Sequence, residues 1–143
     1  MKLYVAGPMT GRPQFNIPAF DAAAAALRAQ GHIVVNPAEE DSPAVRAAAL
    51  ASKTGDAKDL NSTGETWGDL LARDVKIIAD GIDGIVLLPG WQHSRGAKLE
   101  AFTAVVCRKA IHFWFPDAEQ AEWISPIHII AALHNACVED ILS

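Results

Sequence analysis

Apolar residues recur along the chain in two rhythms that take turns. Short, nearly unbroken apolar runs read as strands: Lys2-Leu3-Tyr4-Val5-Ala6, His32-Ile33-Val34-Val35-Asn36, Asp83-Gly84-Ile85-Val86-Leu87-Leu88 and Ala110-Ile111-His112-Phe113-Trp114-Phe115. Their lack of polar alternation suits parallel strands covered on both faces. Between them, apolar residues fall three and four apart, as on one side of a helix. The spacing predicts helices over 17–30 (Phe20, Ala23, Ala24, Leu27), 67–79 (Trp67, Leu70, Leu71, Val75, Ile78), 94–108 with Phe102, Val105 and Val106 as the core side, and 125–142. Trp123-Ile124 reads as a short edge strand. Strands alternating with helices predict an α/β fold, a single-domain Rossmann-like or flavodoxin-like three-layer arrangement with a four- to five-stranded parallel sheet.

Turn chemistry places the boundaries. Asn16 is a candidate cap for the first helix, with Pro18 in its first turn, and Gly31 supplies a left-handed stop. Thr66-Trp67-Gly68-Asp69 resembles a capping box with Asp at its third position. Gly7-Pro8-Met9-Thr10-Gly11 breaks the first strand; it is neither a GxGxxG fingerprint nor a P-loop. Residues 39–65 interrupt the alternation. An alanine-rich piece at 44–52 precedes a polar stretch at 53–64, and so long an excursion fits a lid or a passive insertion.

The candidate chemistry gathers after the most strand-like run, at His93-Ser94-Arg95-Gly96-Ala97-Lys98-Leu99-Glu100, where open α/β sheets bind ligands. With Ser94 as the cap, the amides of Arg95, Gly96 and Ala97 have no helical partner and face outward at the positive end of the dipole, a place for a phosphate or carboxylate. Glu100 lies four residues on, leaning back over a position without a side chain. A cap and a solvated Glu satisfy the same pattern, so the placement after a buried strand is what singles it out. Asp74 falls inside an apolar stripe, three residues after Leu71 and four before Ile78. A carboxylate there needs a partner, because burying it alone costs several kcal/mol. It reads either as a structural Asp capping a neighbouring loop or as a second acid beside Glu100. Trp91 stands between strand end and helix start, where an aromatic ring can stack on a base or pack on the loop.

Composition narrows the partners. A chain of 143 residues, 50% hydrophobic and 20% charged, is ordinary for one globular domain. A net charge of -5 argues against a nucleic-acid polymer, which needs a basic face, and leaves room for one small phosphate. Cys107 and Cys137 lack a CxxC pair and read as reduced core thiols. His128 and His134 are six apart, which does not put two ligands on one helix face, so neither a metal nor another cofactor is expected. No apolar run approaches the ~18 residues of a membrane span, and without a secretory leader the expected location is cytoplasmic. Trp114, Trp123 and an apolar C-terminal helix exceed what one short chain covers, which predicts a homodimer or a larger homo-oligomer.

Several of these residues together resemble a known family. Tyr4-Val5-Ala6-Gly7-Pro8-Met9-Thr10-Gly11, the helix carrying Arg73-Asp74, the strand ending in Leu88-Pro89-Gly90 and Ser94-x-Gly96-x-x-x-Glu100 are similar to the nucleoside 2-deoxyribosyltransferase-like superfamily, and more narrowly to a phage and bacterial branch of it. The likeness covers residues 2–115. It implies base-exchanging transferases, or hydrolases that cut the N-glycosidic bond of nucleoside 5′-monophosphates, all without metal. It further implies that Glu100 is the nucleophile and that Asp74 positions substrate or manages the proton on the base. Ser94 and Gly96 would bind the 5′-phosphate, and Met9, Thr10 and Gly11 would line sugar and base. Gly7, Trp91 and Arg95 complete the candidate substrate-binding set. Related enzymes finish the site with a residue from a neighbouring subunit. Thr10 departs from the Arg of nucleotide hydrolases, and residues 39–65 are longer than the corresponding loop.

The chemistry fits the residue types without the likeness. Breaking a C1′–N bond develops oxocarbenium character, and a carboxylate below C1′ can stabilise or capture it while an acidic partner assists the base. Retaining glycosidases use two carboxylates about 5 Å apart in this way. The expected function is therefore hydrolysis of (deoxy)nucleoside 5′-monophosphates. A base-exchanging deoxyribosyltransferase and a non-catalytic nucleotide-binding module are the alternatives.

Overall fold

The computed structural model describes residues 1–142, apart from the side chains at 61–63 and 141. Five strands form one sheet in the order β2-β1-β3-β4-β5: β1 (Lys2–Ala6), β2 (Ile33–Val35), β3 (Gly84–Leu87), β4 (Ala110–Phe115) and β5 (Gln120–Trp123). The first four are parallel, β3 is central, and β1 lies between β2 and β3, pairing Leu3 with Gly84 and Lys2 with Ile33. The helices are α1 (Ile17–Ala29), α2 (Pro37–Glu40), α3 (Pro43–Ala51), α4 (Trp67–Gly81), α5 (Arg95–Val106) and α6 (Pro126–Leu142). The result is a Rossmann-like three-layer α/β fold.

Residue alternation along the strands divides the core. Leu3, Val5, Val86, Leu88 and Trp114 face α1 and pack on its Phe20, Ala23, Ala24 and Leu27. Tyr4, Ala6, Ile85, Leu87 and Ile111 face the other way, under Ile78 of α4, the alanines of α5, and Ile129 and Leu133 of α6. Burying a large aliphatic side chain stabilises the fold by about 1.5–3 kcal/mol, so both layers are held on by this sheet.

The structure corrects several expectations. The sheet is not wholly parallel, because β5 returns antiparallel to β4, with Phe115 opposite Gln120. The tight link at 116–119 allows nothing else, since a parallel crossover needs a dozen or more residues. In α5 the core side is Ala97, Ala101 and Ala104, whereas Phe102 and Val106 are 53% and 62% exposed. Small residues let this helix lie close to its neighbours, and the large ones turn outward. Trp67, expected in the stripe of α4, is 49% exposed. Cys137 is exposed and Cys107 half-buried, so neither is a core thiol. Asn16 does not cap α1 with its side chain; Nδ2 donates to the Pro8 carbonyl at 2.9 Å, and the helix is entered through left-handed Gln14, Phe15 and Asn16.

Residues 39–65 fold back against the loop after β1. The Gly11 amide donates to the Gly55 carbonyl and the Gln14 amide to Ser52, each at 2.8 Å. Gly55 has φ +72°, and a Cβ there would lie 2.1 Å from the Arg12 carbonyl oxygen, so only glycine fits. Phe15, Ile17, Ala38 and Ala49 form a third buried cluster, with Met9 and Leu60 against it. Among the described residues no helix is long and apolar enough to cross a membrane.

Candidate active site

A cavity of about 750 Å³ opens at the C-terminal ends of β1 and β3. Its size lies in the range of small-molecule sites. One wall is α4 and α5; the other is the segment from Pro37 to Leu60 together with the loop after β1.

Tyr4 occupies the third position of β1 and is fully buried, pointing toward α5. Its hydroxyl donates to Glu100 Oε1 at 2.8 Å. Burial, then the Glu100 charge, pushes the phenol well above its ordinary range, so it acts as a neutral donor. Glu100 is buried on the inward face of α5. Its carboxyl is pushed up to about 8, by burial first and the Asp74 charge second, with Tyr4 and Arg73 pulling the other way. Asp74, buried on α4, is also raised by burial, and Arg73 opposes that rise.

Arg73 binds outward from this pair. Its Nε and Nη2 contact Asp74 Oδ1 at 2.8 and 2.7 Å, and Nη1 donates to Asp41 Oδ1 at 2.8 Å. Burial opposes its charge, yet the two aspartates carry its affinity for the proton above the ordinary value. Three acids thus surround one guanidinium. Glu100 is the acid that makes no bond to Arg73, and at neutral pH it retains a proton.

At the mouth, Ser94 caps α5, its Oγ accepting from the Ala97 amide at 3.3 Å. A Cβ on Gly96 would meet nothing within 4 Å, so the first turn of α5 opens freely into the cavity. The Arg95 guanidinium carbon stands 5.5 Å from the centre of the Trp67 ring.

Of the residues singled out in the sequence, Gly7, Met9, Thr10, Asp74, Ser94, Arg95, Gly96 and Glu100 line this cavity. Gly7 is tightly fitted, since a Cβ there would come 2.7 Å from that of Leu88. Two are elsewhere. Trp91 is rolled beneath the loop by the turn it begins, 5% exposed and 6.2 Å from the Phe113 ring, so it cannot stack on a ligand in the cavity. Gly11 is spent on its bond to Gly55 and faces a shallow outer groove with Thr54 and Asp56. Tyr4, Asp41 and Trp67 were missed, and Arg73 entered only as the neighbour of Asp74. A tyrosine in a buried strand announces a polar partner for its hydroxyl, and that signal was available. Asp41 had none. Among the described residues no three His, Cys, Asp or Glu side chains are grouped to hold a metal ion.

Residues 1–113 match the family model described as "Domain of unknown function (DUF4406)", and the chain belongs to that family. The match runs from β1 into β4 and includes every cavity residue named above. No curated protein and no solved structure matches the chain.

Proposed function

We propose that this DUF4406 protein hydrolyses the N-glycosidic bond of (deoxy)nucleoside 5′-monophosphates, with Glu100 as nucleophile and Asp74 managing the proton of the departing base. The observation that carries the reading is two buried carboxyls, Asp74 and Glu100, lining one cavity beside a capped helix N-terminus, with the Tyr4 hydroxyl donating to Glu100. Relatedness of the DUF4406 family to the nucleoside deoxyribosyltransferase-like fold supports it.

A nucleotide fits this polarity. Its phosphate would lie on the amides after Ser94, where the helix dipole favours an anion. Its C1′, which becomes positive as the base leaves, would lie one turn further along at Glu100. Four residues of helix span about 6 Å, a gap that one nucleotide can bridge between phosphate and anomeric carbon. Glu100 Oε would bond to C1′ as the C1′–N bond breaks, a proton carried on Asp74 would pass to the departing base nitrogen, and water would then cleave the glycosyl ester, giving its proton to Asp74 and freeing the Glu100 carboxylate. The step needs Glu100 ionised and one proton on Asp74, so turnover should fall as pH rises through about 8 and the pair of the free protein loses its last proton.

Incubation with a panel of natural and modified nucleoside monophosphates and the matching nucleosides, followed by chromatography, tests the reading. Free base and sugar phosphate are expected from monophosphates. Transfer of the sugar to an added base, in place of release, would make the chain a deoxyribosyltransferase, and binding without cleavage a nucleotide-binding module. We also infer a cytoplasmic protein that works as a homodimer or larger assembly. The outward Leu99, Phe102 and Val106 of α5 support assembly, and light scattering at micromolar concentration tests it.

A further inference from the structure

Arg73 is asked to serve two acids from two different elements. Asp74 follows it on α4, while Asp41 closes α2 at the start of the opposite wall. The Asp41 and Asp74 side chains are only 10% and 12% exposed, so neither ion pair is a loose surface contact. The guanidinium also reaches the Pro37 carbonyl at 3.4 Å, which fixes it between the walls. Every donor that faces Asp41 is one that Asp74 does not receive. The bidentate fork of an Arg makes such a division possible, whereas a Lys ammonium would bind as a point charge.

We propose that Asp41 and Arg73 are positioning residues for the reaction, with Arg73 a counter-ion divided between Asp41 and Asp74 so that the division sets the charge of the Asp74–Glu100 pair. What the pair does to a substrate rests on the glycosidase reading; the division of charge does not. Removing the Asp41 charge leaves Arg73 wholly to Asp74, so Glu100 faces a better-neutralised partner and loses its proton at lower pH. Removing the Arg73 charge leaves Asp74 and Glu100 unscreened, and the proton is held to higher pH. Burial lifts the Asp41 carboxyl and Arg73 lowers it, and within the wall Glu65 raises it further while Arg46 lowers it. From β1 the Tyr4 hydroxyl bonds Glu100 and pulls its titration down. The opposite signs are the mark of this arrangement. Both substitutions delete the same Asp41–Arg73 ion pair, so a merely structural tether would give the two variants the same behaviour.

The test is the titration of Glu100 followed by carbon-13 NMR of its carboxyl in the free protein, in wild type, Asp41→Asn, Arg73→Gln and Arg73→Lys. Relative to wild type, the midpoint is expected about one pH unit lower in Asp41→Asn and about one unit higher in Arg73→Gln. Arg73→Lys, which keeps the charge but not the fork, should fall between Arg73→Gln and wild type. The pH profile of kcat/KM for a nucleotide cleaved in the panel should shift in the same directions. Midpoints that move together in Asp41→Asn and Arg73→Gln, or that stay put, overturn the proposal. Should Arg73→Gln fail to fold, Asp41→Asn alone decides, an unmoved or raised midpoint overturning it. Opposite NMR shifts in a protein that cleaves no nucleotide would uphold the charge division and remove the glycosidase reading.

Discussion

The two walls of the cavity are built on different principles. The wall of α4 and α5 carries its charges on regular helices with defined starts: Thr66 and Asp69 close a reciprocal capping box, and Ser94 caps α5. Asp74 and Glu100 are therefore aimed by helical geometry, and packing on the sheet locks their direction. The facing wall uses short helices and turns, pinned by backbone bonds at Gly11 and Gln14 and by a glycine with no room for a methyl group. It contributes enclosure and apolar surface rather than aim. Reactive groups that need angular accuracy sit on long elements here, and the task of closing the space falls to an irregular segment with more freedom to vary.

Breaking the charged wall should have the largest effect. Folded Glu100→Gln should lose base release by about a thousandfold or more while retaining nucleotide binding. The same variant has an opposite signature in stability. Burial raises the folded-state pKa of Glu100 from an ordinary 4.5 to about 8. Its contribution is thus fully present below the unfolded value and lost as pH rises through about 8. Gln stays neutral, so at pH 9 the variant should unfold several degrees above wild type by calorimetry, the gap closing toward pH 5. A variant that cleaves at the wild-type rate would make Glu100 an ordinary buried acid.

Breaking the facing wall should come next. Gly55→Ala forces a methyl group into the Arg12 backbone and strains a left-handed residue, which should cost roughly 2–4 kcal/mol and lower the unfolding midpoint by about 5–10 °C. A change within a degree would mean that this wall is a loosely held lid. Sharpening the comparison at the mouth is a smaller matter. A Cβ at position 96 meets no protein atom, so Gly96→Val should leave the fold nearly intact yet weaken a nucleoside monophosphate about tenfold in isothermal titration, with less effect on the nucleoside. Equal wild-type affinity for nucleoside and nucleotide would take the anion away from α5. The smallest change lies on the outward face of α5, away from the cavity. Phe102→Ser should alter stability by less than about 0.5 kcal/mol while shifting the light-scattering mass toward a monomer. An unchanged oligomer would place the assembly surface elsewhere.

Legibility in the sequence followed the same division. β1 and β4 begin and end at the residues where the apolar runs do, because Gly7-Pro8 and Pro116 stop them. The capping box and the oddity of Asp74 in an apolar stripe were readable because both are local. The alanine face of α5 was not, since a pattern weighted by side-chain size points to Phe102 and Val106, whereas close packing rewards small residues. Tyr4 hid in a run without polar alternation. The wall at 37–60 depends on hydrogen bonds between backbone groups some forty residues apart, which leave no mark on residue type. Its only trace was Gly55, one of two glycines in a polar stretch.

The sheet order also has a consequence for biosynthesis. β1, made before the other strands of this sheet, is an interior strand whose partner β3 lies some eighty residues downstream. At about 5–20 residues per second, the edge of β1 that will face β3 waits roughly 4–16 s for it to be made. A β1–α1–β2 unit can form in that interval, but it exposes the row of Tyr4 and Ala6 that α4 and α5 later cover. The nascent chain therefore passes through a stage with an unpaired, apolar strand edge. The protein becomes safe from edge-to-edge association only when residues beyond 87 emerge, so truncations before that point should collect in chaperone complexes or aggregates.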